Sequence, residues 1–441
     1  MAADPLAWLR SRQRFGVKLG LDAVGTLLAA LGHPERGLPV VLVAGTNGKG
    51  STAAMVAATL TAAGERTLLY SSPHVADLRE RIRLDGRTIR RDALSLRLAE
   101  VRTAVAHLGR GRRLGLQPTY FEVLTAAALL QARAGHATAA VFEVGLGGRY
   151  DATNVIPAQV AVITGIDRDH TEYLGKNLTR IAWNKAGIIK SEQDVLTLEP
   201  RRELLRIFRR ECRRRGARFT SLPGSVARRH GPGTWDLDLA AARPAAGRCL
   251  PLRMTGVRLG LRGEHQGAQA VLGVTAATAL LARTGGHLPA AKTLRRALAG
   301  VHLPGRCERR RLSSGRLRVV DAAHNPAATI CLAPEIRDLS GDRSVTLLFG
   351  VLADKDASAM MRPLAKLVDT VILTQPKHAR GMKIKALKEI LPRHAAAFVD
   401  PGAAWRAALG ATPKGGVLLV AGSFYLLGDL WERIRRYPRL P

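Results

Sequence analysis

The sequence has few cysteines, and none of them stand close together. It contains four in 441 residues, at Cys212, Cys249, Cys307 and Cys331, with no CxxC pair among them. Structural zinc sites and disulfide frameworks are recognised by closely spaced cysteines. The pattern therefore excludes both kinds of site and is typical of separate thiols in a reducing compartment.

Long hydrophobic runs are also missing. The longest apolar stretches, such as 137–144 and 417–421, have the length of strands, whereas a helix needs about 20 apolar residues to cross a bilayer. The chain begins Met-Ala-Ala-Asp-Pro, which lacks the basic start and apolar centre of an export signal. We expect a cytoplasmic protein with no membrane partner.

Acidic residues are scarce relative to basic ones, since 35 Asp and Glu face 68 Lys and Arg, for a net charge of +33. Such an excess indicates a nucleic-acid partner, an anionic small substrate, or a general preference for arginine. The arginines are densest over 201–218, where Leu204, Leu205, Ile207 and Phe208 supply the apolar stripe of one helix. No aromatic residues alternate with these arginines to stack bases, so we expect no nucleic-acid partner.

Length and composition predict two folded domains. A chain of 441 residues with 46% hydrophobic and 23% charged residues is globular and too long for one ordinary core. Strand-like runs alternate with helical stretches, which predicts an α/β fold with parallel sheets covered by helices. Residues 221–262 interrupt this alternation and predict a peripheral insertion or small β element. A boundary is expected near 301–306, which separates a domain at 1–302 from one at 303–441.

The individual elements follow from the same patterns. The predicted strands are 40–44, 67–70, 138–142, 159–164, 194–198, 317–321, 344–349, 368–373 and 416–421. The principal predicted helices are 51–63, 121–134, 178–188, 201–218 and 265–283.

The clearest motif is the loop GTNGKGS at 45–51. A strand enters this loop and a helix leaves it, so backbone N–H groups and the positive end of the helix point to one place. Lys49 is placed to reach the terminal phosphates of ATP, and Ser51 to offer a hydroxyl to Mg²⁺. Val43 replaces the first glycine of the strict Walker pattern, and Gly50 separates Lys49 from Ser51. We expect a P-loop NTPase-like parallel sheet in the first domain and a smaller Rossmann-like α/β domain after it.

Polar residues follow other strands. Glu143 ends an apolar strand, where nucleotide-binding sheets hold a metal, and the glycines of GLGGR at 145–149 let other backbone approach closely. The segment DRDH at 167–170 suits a metal or phosphate site, and DAAHNP at 321–326 places polar groups to face the nucleotide. The segment NKAG at 184–187 lacks the aspartate that would read guanine, which excludes GTP.

Taken together, these residues resemble the folylpolyglutamate synthase and dihydrofolate synthase family, a branch of the Mur ligase superfamily. The resemblance covers nearly the whole chain and is weakest over 201–262. The ordered motifs that carry it are GTNGKGS at 45–51, YSSPH at 70–74, TYFE at 119–122, EVGLGGRYDATN at 143–154, DHTEYLG at 169–175, KAGI at 185–188, LPGR at 303–306, DAAHNP at 321–326 and DKD at 354–356.

The resemblance implies an ATP-dependent ligase that joins L-glutamate to a folate-type carboxylate through an acyl phosphate. It implies a bifunctional enzyme whose acceptors are dihydropteroate and tetrahydrofolate or its polyglutamates, with Mg²⁺ required and a monomeric state. Lys185 matches a lysine that the family carries as a carbamate. The motifs also imply that the two domains close over the site.

The roles that the resemblance assigns fall into four groups. The catalytic residues are Lys49, Lys185, His170 and His324. The ATP-binding residues are Thr46, Asn47, Gly48, Lys49, Gly50, Ser51, Gln269, Arg306 and Asp321. The substrate-binding residues are Thr119, Tyr120, Phe121, Glu122 and Asp151. The metal-binding residues are Ser51, Ser72, Glu143 and His170.

Two positions depart from the family pattern. Asn184 stands where the family commonly has Glu, which affects the surroundings of Lys185. Gln269 stands where an Asn touches ATP, and it keeps the amide on a side chain one methylene longer.

Three other functions are compatible with parts of the sequence. A Mur-type ligase acting on a nucleotide-linked cell-wall precursor shares the loop and the chemistry but not the YSSPH, TYFE and LPGR set. A nucleic-acid-dependent ATPase is suggested by charge alone. A nucleotide-gated binding module would not need metal-site residues on several strands.

Overall fold

A computed structural model describes residues 4–16, 18, 20–110, 117–231, 233–241, 253–391 and 395–436. Cys249 and part of the predicted insertion at 221–262 lie outside these residues. The strands are β1 Val40–Ala44, β2 Thr67–Tyr70, β3 Ile82–Leu84, β4 Arg87–Thr88, β5 Ala139–Glu143, β6 Val160–Ile163, β7 Asp194–Thr197, β8 Arg218–Ser221, β9 Ala227–Gly231, β10 Thr234–Asp238, β11 Arg253–Arg258, β12 Glu308–Arg311, β13 Leu317–Asp321, β14 Val345–Phe349, β15 Thr370–Thr374, β16 Ala396–Phe398 and β17 Val417–Ala421.

The helices complete the α/β alternation. They are α1 Pro5–Ser11, α2 Asp22–Ala30, α3 Lys49–Ala62, α4 Arg91–Arg110, α5 Tyr120–Ala134, α6 Thr171–Leu174, α7 Leu178–Lys185, α8 Arg202–Arg215, α9 Gln266–Thr284, α10 Ala291–Gly300, α11 Pro326–Ser340, α12 Ala357–Met361, α13 Ile384–Ile390, α14 Pro401–Ala411 and α15 Phe424–Arg435. No helix in the described ranges is long and apolar enough to span a membrane.

The larger sheet has eight strands in the order β4-β3-β2-β5-β1-β6-β7-β8. Its strands pair in parallel from β2 to β8, and β3 and β4 extend one edge with antiparallel pairs. The central strand β1 is buried at every residue and lies in register with β5 on one side and β6 on the other, so that Val41 pairs with both Val141 and Val160. Apolar side chains on both faces are what a parallel sheet between two helix layers requires.

Two helix layers cover this sheet. One face packs against α2, α4 and α5 through residues such as Leu28, Leu98 and Leu129. The other face packs against α3 and α9 through residues such as Val56 and Val274. Gly273 lets α9 approach α3 closely, because a β-carbon there would lie 3.0 Å from the Cβ of Met55. The helix α3, which leaves the loop at 45–51, is therefore held against both the sheet and α9.

The second large sheet lies in the C-terminal part, in the order β12-β13-β17-β14-β15-β16. Only its edge strand β12 is antiparallel to its neighbour among the described pairs. A separate apolar core covers each of its faces, one around Phe349 and Leu387 and one around Leu430 and Trp405. The predicted α/β architecture is confirmed for both parts of the chain.

Element limits differ from the predicted ones where a glycine sets the turn. The helix α3 begins at Lys49 rather than residue 51, because Gly48 adopts a left-handed conformation (φ 82°) directly before it. The arginine-rich helix α8 ends at Arg215, where Gly216 (φ 63°) turns the chain into β8. The predicted small β element is the three-stranded antiparallel sheet β9-β10-β11.

Candidate active site

The loop 45–51 is held against the end of β6 by a set of short hydrogen bonds. Thr46 donates its backbone N–H to the carbonyl of Gly165 (2.8 Å), and its hydroxyl accepts the N–H of Asp167 (2.8 Å). The hydroxyl of Thr164 donates to the carbonyl of Asn47 (2.6 Å). Gly45 has φ 144°, and any β-carbon there would collide with the Thr164 hydroxyl. These contacts fix the loop before a ligand arrives.

Gly48 is the second position in the loop that requires glycine. Besides its positive φ, a β-carbon at Gly48 would lie 2.6 Å from Nε2 of Gln269. Gln269 also accepts a hydrogen bond from the hydroxyl of Thr52 in α3. The longer amide noted in the sequence thus packs directly against the phosphate loop.

Two lysines donate to one carbonyl oxygen of this loop. Nζ of Lys49 lies 3.1 Å and Nζ of Lys185 lies 2.7 Å from the carbonyl oxygen of Gly45. Lys185 is 4% exposed. Burial, followed by the positive charge of Lys49, lowers the pKa of Lys185 to about 7. A large fraction of this side chain is therefore a neutral amine near neutral pH.

Glu143 ends β5 beside the loop. Its carboxylate accepts the backbone N–H of Ser72 (3.0 Å), and a β-carbon on Gly50 would meet it at 3.4 Å. Burial raises the pKa of Glu143, and the charge of Lys49 partly offsets that effect. A buried carboxylate next to the glycines of a phosphate loop is suited to a cation.

The predicted metal-binding residues carry groups that can ligate a divalent cation. Burial lowers the pKa of His170 to about 4, so its imidazole is neutral and able to ligate a metal. Ser51 is buried and accepts a hydrogen bond from Nε2 of Gln266 (3.3 Å). Within the described ranges no three His, Cys, Asp or Glu residues cluster as a complete metal site. One carboxylate, hydroxyls and an imidazole fit Mg²⁺ or Mn²⁺ when phosphates and water supply the other ligands.

Asp169 contacts polar side chains of the C-terminal part. Its carboxylate lies 2.6 Å from Nζ of Lys355, accepts from Nδ2 of Asn325 (3.2 Å) and lies 3.5 Å from Nε2 of His324. Asn325 also donates to the Asn47 side chain (3.0 Å). The two large sheets therefore meet at the loop through direct polar contacts.

The first of the cavities beside the loop has a volume of about 340 Å³. It contains most of the predicted catalytic, metal-binding and substrate-binding residues. The predicted residues in its lining are Thr46, Asn47, Gly48, Lys49, Gly50, Ser72, Thr119, Phe121, Glu122, Glu143, Asp151, His170, Arg306 and His324.

Several residues predicted to bind the substrate already make hydrogen bonds to neighbouring residues of the chain. Thr119 and Glu122 form a capping box at the start of α5, in which the Glu122 carboxylate accepts the Thr119 N–H (2.6 Å). Asp151 accepts the N–H groups of Leu146 (2.8 Å) and Thr153 (3.0 Å), and burial raises its pKa. These two acids therefore shape the cavity wall and order the loop 145–151.

Aromatic rings complete this wall. The ring of Phe121 lines the cavity and lies 5.7 Å from that of Tyr70, and Gly145 leaves room for it, since a β-carbon there would lie 2.6 Å from Cζ. Tyr120 is outside the lining of the described cavities, and its ring faces the guanidinium of Arg81 at 5.8 Å. A cavity that carries aromatic side chains among charged ones suits an aromatic ligand with charged groups.

The second cavity has a volume of about 280 Å³ and lies on the other side of the loop. Its lining includes Ser51, Gln269 and Asp321 from the predicted ATP-binding set. The Asp321 carboxylate accepts the N–H groups of Cys307 (2.7 Å) and Ala323 (2.7 Å), and burial raises its pKa. Both cavities share Thr46, Asn47, Gly48 and Arg306, so one loop and one arginine separate them.

Some residues of the site were not among those predicted. Asp169, Asn325 and Lys355 form the contact between the two parts, and Gln266 reaches Ser51. All four lie inside motifs recognised in the sequence or in the segment HQGAQA at 265–270. Motif membership was therefore the available signal, although it does not reveal which member makes the contact.

Comparisons with known proteins agree with this geometry. The family model described as the Mur ligase middle domain matches residues 43–222, and the one described as the Mur ligase glutamate ligase domain matches residues 305–424. A dihydrofolate synthase/folylpolyglutamate synthase of Bacillus subtilis is 30% identical over 434 residues, which cover 98% of this chain and 99% of the relative.

Solved structures show the same fold. Escherichia coli FolC in complex with DHPP and ADP matches with a TM-score of 0.84 and 30% identity, covering 98% of each chain. A bifunctional folylpolyglutamate synthase/dihydrofolate synthase of Yersinia pestis, complexed with AMPPNP and a Mn ion, matches with a TM-score of 0.83 and 27% identity over 98% of each chain.

Proposed function

This chain belongs to the dihydrofolate synthase/folylpolyglutamate synthase family of Mur ligases, and from that premise we propose that it joins L-glutamate to a folate-type carboxylate at the expense of ATP. The observation that carries the proposal is the pair of cavities on either side of one phosphate loop. One suits a nucleoside, the other an aromatic acceptor, and their shared wall is where a phosphate would pass from one to the other.

The reaction has two steps. The acceptor carboxylate attacks the terminal phosphate of ATP and forms an acyl phosphate, with ADP as leaving group. The amine of glutamate then attacks the acyl carbon, an amide forms, and phosphate leaves. Both steps bring anions together, so the protein must supply positive charge and fixed geometry more than proton transfer.

The loop supplies both. We assign phosphate binding to Thr46, Asn47, Gly48, Lys49, Gly50 and Ser51, and the remaining ATP contacts to Gln269, Arg306 and Asp321. Support comes from α3, which begins at Lys49 directly after Gly48, because the first N–H groups of a helix favour an anion. Arg306 lies on the wall common to both cavities, a suitable position for an anion that is transferred.

A divalent metal ion would neutralise charge on the phosphates. We assign its protein ligands to Ser51, Ser72, Glu143 and His170, because a buried carboxylate and a neutral imidazole are available there.

The acceptor is assigned to the 340 Å³ cavity, with Thr119, Phe121, Glu122 and Asp151 in its walls. Phe121 supplies an aromatic face, whereas Thr119, Glu122 and Asp151 fix the backbone that frames it. Tyr120 lies behind this wall and would act through Arg81, which does line the cavity.

We propose that Lys185 becomes a carbamate. Only a neutral amine reacts with CO₂, and the pKa of about 7 provides that form near neutral pH. The product would be an anion beside Lys49, which would replace repulsion between two ammonium groups by attraction. His324, held between Asp169 and the Phe424 ring (5.5 Å), is assigned to the glutamate side of the site.

We further propose a division into an ATP-binding domain at 1–302 and a ligase domain at 303–441, which close on one another during the cycle. Support comes from the polar contacts of Asp169 and Asn47 with groups beyond residue 303. Polar contacts of this kind can break and reform, and they lie beside an apolar contact in which Val75 joins the core around Leu430.

The assay for the proposal uses purified protein with ATP, Mg²⁺, L-glutamate and either dihydropteroate or tetrahydrofolate. We expect ADP release that requires both the acceptor and glutamate. If ADP release depends on neither dihydropteroate nor tetrahydrofolate, the proposal is refuted. Turnover with a nucleotide-linked cell-wall precursor would favour the Mur-type alternative. Comparable kcat/KM values for the two acceptors on one preparation would establish the bifunctional enzyme that we expect.

We also propose that the protein acts as a monomer in the cytoplasm and without nucleic acid. ATP turnover that rises with added RNA or DNA and falls steeply with salt would contradict the last point. Light scattering during size-exclusion chromatography tests the first.

A further inference from the structure

The small sheet β9-β10-β11 lies between two helices that border the 280 Å³ cavity. Trp235 in β10 packs against Gly267 in the first turn of α9, where any β-carbon would collide with the indole. The same turn carries Gln266 and Gln269, which contact Ser51 and Thr52. The sheet is therefore joined through α9 to the phosphate loop and α3.

On its other side the sheet reaches the C-terminal part through one arginine. Nη2 of Arg229 in β9 lies 3.0 Å from Oε1 of Glu335 and 2.9 Å from Oδ2 of Asp338, both in α11. Nη2 of Arg309 binds the second oxygen of Glu335 at 3.1 Å. A further acid, Glu264, lies 3.7 Å from Nη1 of Arg229.

The exposure of these groups shows which contact matters. The Glu335 side chain is 2% exposed and lines the 280 Å³ cavity, whereas that of Asp338 is 46% exposed. A carboxylate as buried as Glu335 is stable as an anion only beside cations. Burial raises the pKa of Glu335, and Arg229 and Arg309 counteract that effect.

The two cations that pair directly with Glu335 come from different parts of the chain. Arg309 belongs to β12, which like α11 lies beyond the boundary near 303, so Arg309 stays beside Glu335 if the two parts separate. Arg229 precedes that boundary, so its pair with Glu335 exists only in the arrangement of the two parts seen here. This pair is therefore lost in the open arrangement of the proposed cycle.

We propose that Arg229 is a positioning residue for nucleotide binding, which holds the small sheet and α11 together across the nucleoside cavity. Arg229 acts through Glu335 and α11, because it is not among the described residues that line the cavity. The proposal rests on the proposed binding of ATP in that cavity. Nucleotide affinity then includes the equilibrium between open and closed arrangements.

The test compares ADP and Mg²⁺ binding by calorimetry in the wild type, Arg229→Met, Asp338→Asn and the control Arg228→Met. Arg228 is the adjacent, exposed arginine of the same strand. We expect the Kd for ADP to rise by about five- to twentyfold in Arg229→Met, because the closed state becomes less populated. Arg228→Met is expected to bind as the wild type does, and Arg229→Lys to recover part of the affinity.

Kinetics separate a positioning role from simple loss of stability. The KM for ATP should rise in Arg229→Met while kcat at saturating ATP stays within about twofold, since ATP then restores closure.

Two results would overturn the proposal: an unchanged Kd in Arg229→Met, or a lower melting temperature without any change in KM. An absence of ADP binding by the wild-type protein would instead refute the proposed function, so the two failures are distinguishable.

Discussion

The carboxylate of Asp169 lies 2.6 Å from the ammonium nitrogen of Lys355, although 186 positions separate the two residues in the chain. Both side chains are 8% exposed. Burial by itself would raise the pKa of Asp169, but the hydrogen bond with His324 and the neighbouring His170 and Lys355 hold it well below the usual range of a carboxyl group. One buried anion thus joins the phosphate loop to the C-terminal part.

Asp169→Asn should weaken this junction. Lys355 keeps Asp354 at 3.2 Å, so we expect a loss of about 2 kcal/mol in the free energy of unfolding, less than a fully broken buried pair costs. We expect kcat/KM to fall by about tenfold or more, because closure and the site depend on the same contact. Urea unfolding and initial rates measure both effects. The control Asp92→Asn removes an exposed pair with Arg90. It should change the free energy of unfolding by no more than about 0.5 kcal/mol and leave kcat/KM as in the wild type.

The same pair predicts an acid dependence. The folded pKa of Asp169 is depressed, so its contribution to stability is present above the ordinary carboxyl pKa of about 4 and is lost as pH falls further. The stability gap between the wild type and Asp169→Asn should therefore narrow below about pH 4. Parallel curves down to pH 3 would show that Asp169 is not the titrating group.

Lys49→Ala should abolish ATP turnover while leaving the thermal transition nearly unchanged. The ammonium group donates to two loop carbonyls, at 3.1 and 3.0 Å, and losing those contacts from a half-buried side chain costs about 1 kcal/mol. Its charge on the phosphates is worth about a hundredfold or more in rate. Differential scanning calorimetry and an ADP-release assay test the two halves. Lys176→Ala, an exposed lysine, serves as the control, and a large drop in melting temperature would make Lys49 structural instead.

Glu143→Gln should remove the response to metal and keep the fold. The amide oxygen still accepts the Ser72 N–H, and the variant no longer buries a charge whose pKa is raised by desolvation. We therefore expect equal or higher stability at neutral pH, together with a turnover reduced by about a hundredfold. Titration of ADP with and without Mg²⁺ should show that the metal no longer improves affinity. An Mg²⁺ dependence equal to that of the control Glu203→Gln would remove Glu143 from the metal site.

Lys185 should form a carbamate. With ¹³C-labelled bicarbonate, we expect a carbamate signal in the NMR spectrum that weakens below about pH 7, where the amine becomes protonated. The signal should be lost in Lys185→Met and kept in Lys190→Met, which removes a partly buried lysine whose pKa is also lowered, to about 8. Lys185→Met should also be inactive. A signal retained in Lys185→Met would place the carbamate elsewhere.

The amine also has a consequence for stability in CO₂-free buffer. The folded pKa of Lys185 is about 7 and its ordinary value is 10.5, so the unfolded chain binds more protons between these values and wild-type stability rises with pH in that window. Lys185→Met lacks this term. We therefore expect Lys185→Met to melt at a higher temperature than the wild type, with the largest difference below pH 7 and none toward pH 10.5. A difference in melting temperature that does not change with pH would contradict the lowered pKa of Lys185.

The sequence predicts the parallel strands well because each is a short apolar run that is buried on both faces, as β1 and β5 are. It predicts β9, β10 and β11 only as a region, since their residues alternate between buried and exposed positions and include several arginines. The antiparallel edge formed by β3 and β4 was not predicted, because strands of three and two residues carry too little pattern.

In the site, too, the sequence predicts what a local motif shows and does not predict contacts between residues that are distant in the chain. Motifs point to Lys49, Glu143 and Lys185 because GTNGKGS, EVGLGGRYDATN and KAGI are recognisable in the sequence itself. They do not reveal that Glu122 caps its own helix, or that Asp169 meets Lys355, since the first needs hydrogen-bond geometry and the second needs the packing of two sheets. The division at 303 stays a prediction that limited proteolysis can test.

The carbonyl oxygen of Gly45 accepts hydrogen bonds from both Lys49 and Lys185, so the carbamate that we propose on Lys185 would make the chemistry of the loop depend on dissolved CO₂. Without CO₂, two amines compete for one acceptor, and charge on either opposes charge on the other. With a carbamate on Lys185, the loop carries a fixed anion that keeps Lys49 protonated and oriented. The rate of ligation would then follow the partial pressure of CO₂ around the enzyme, even when ATP, glutamate and the acceptor are all saturating.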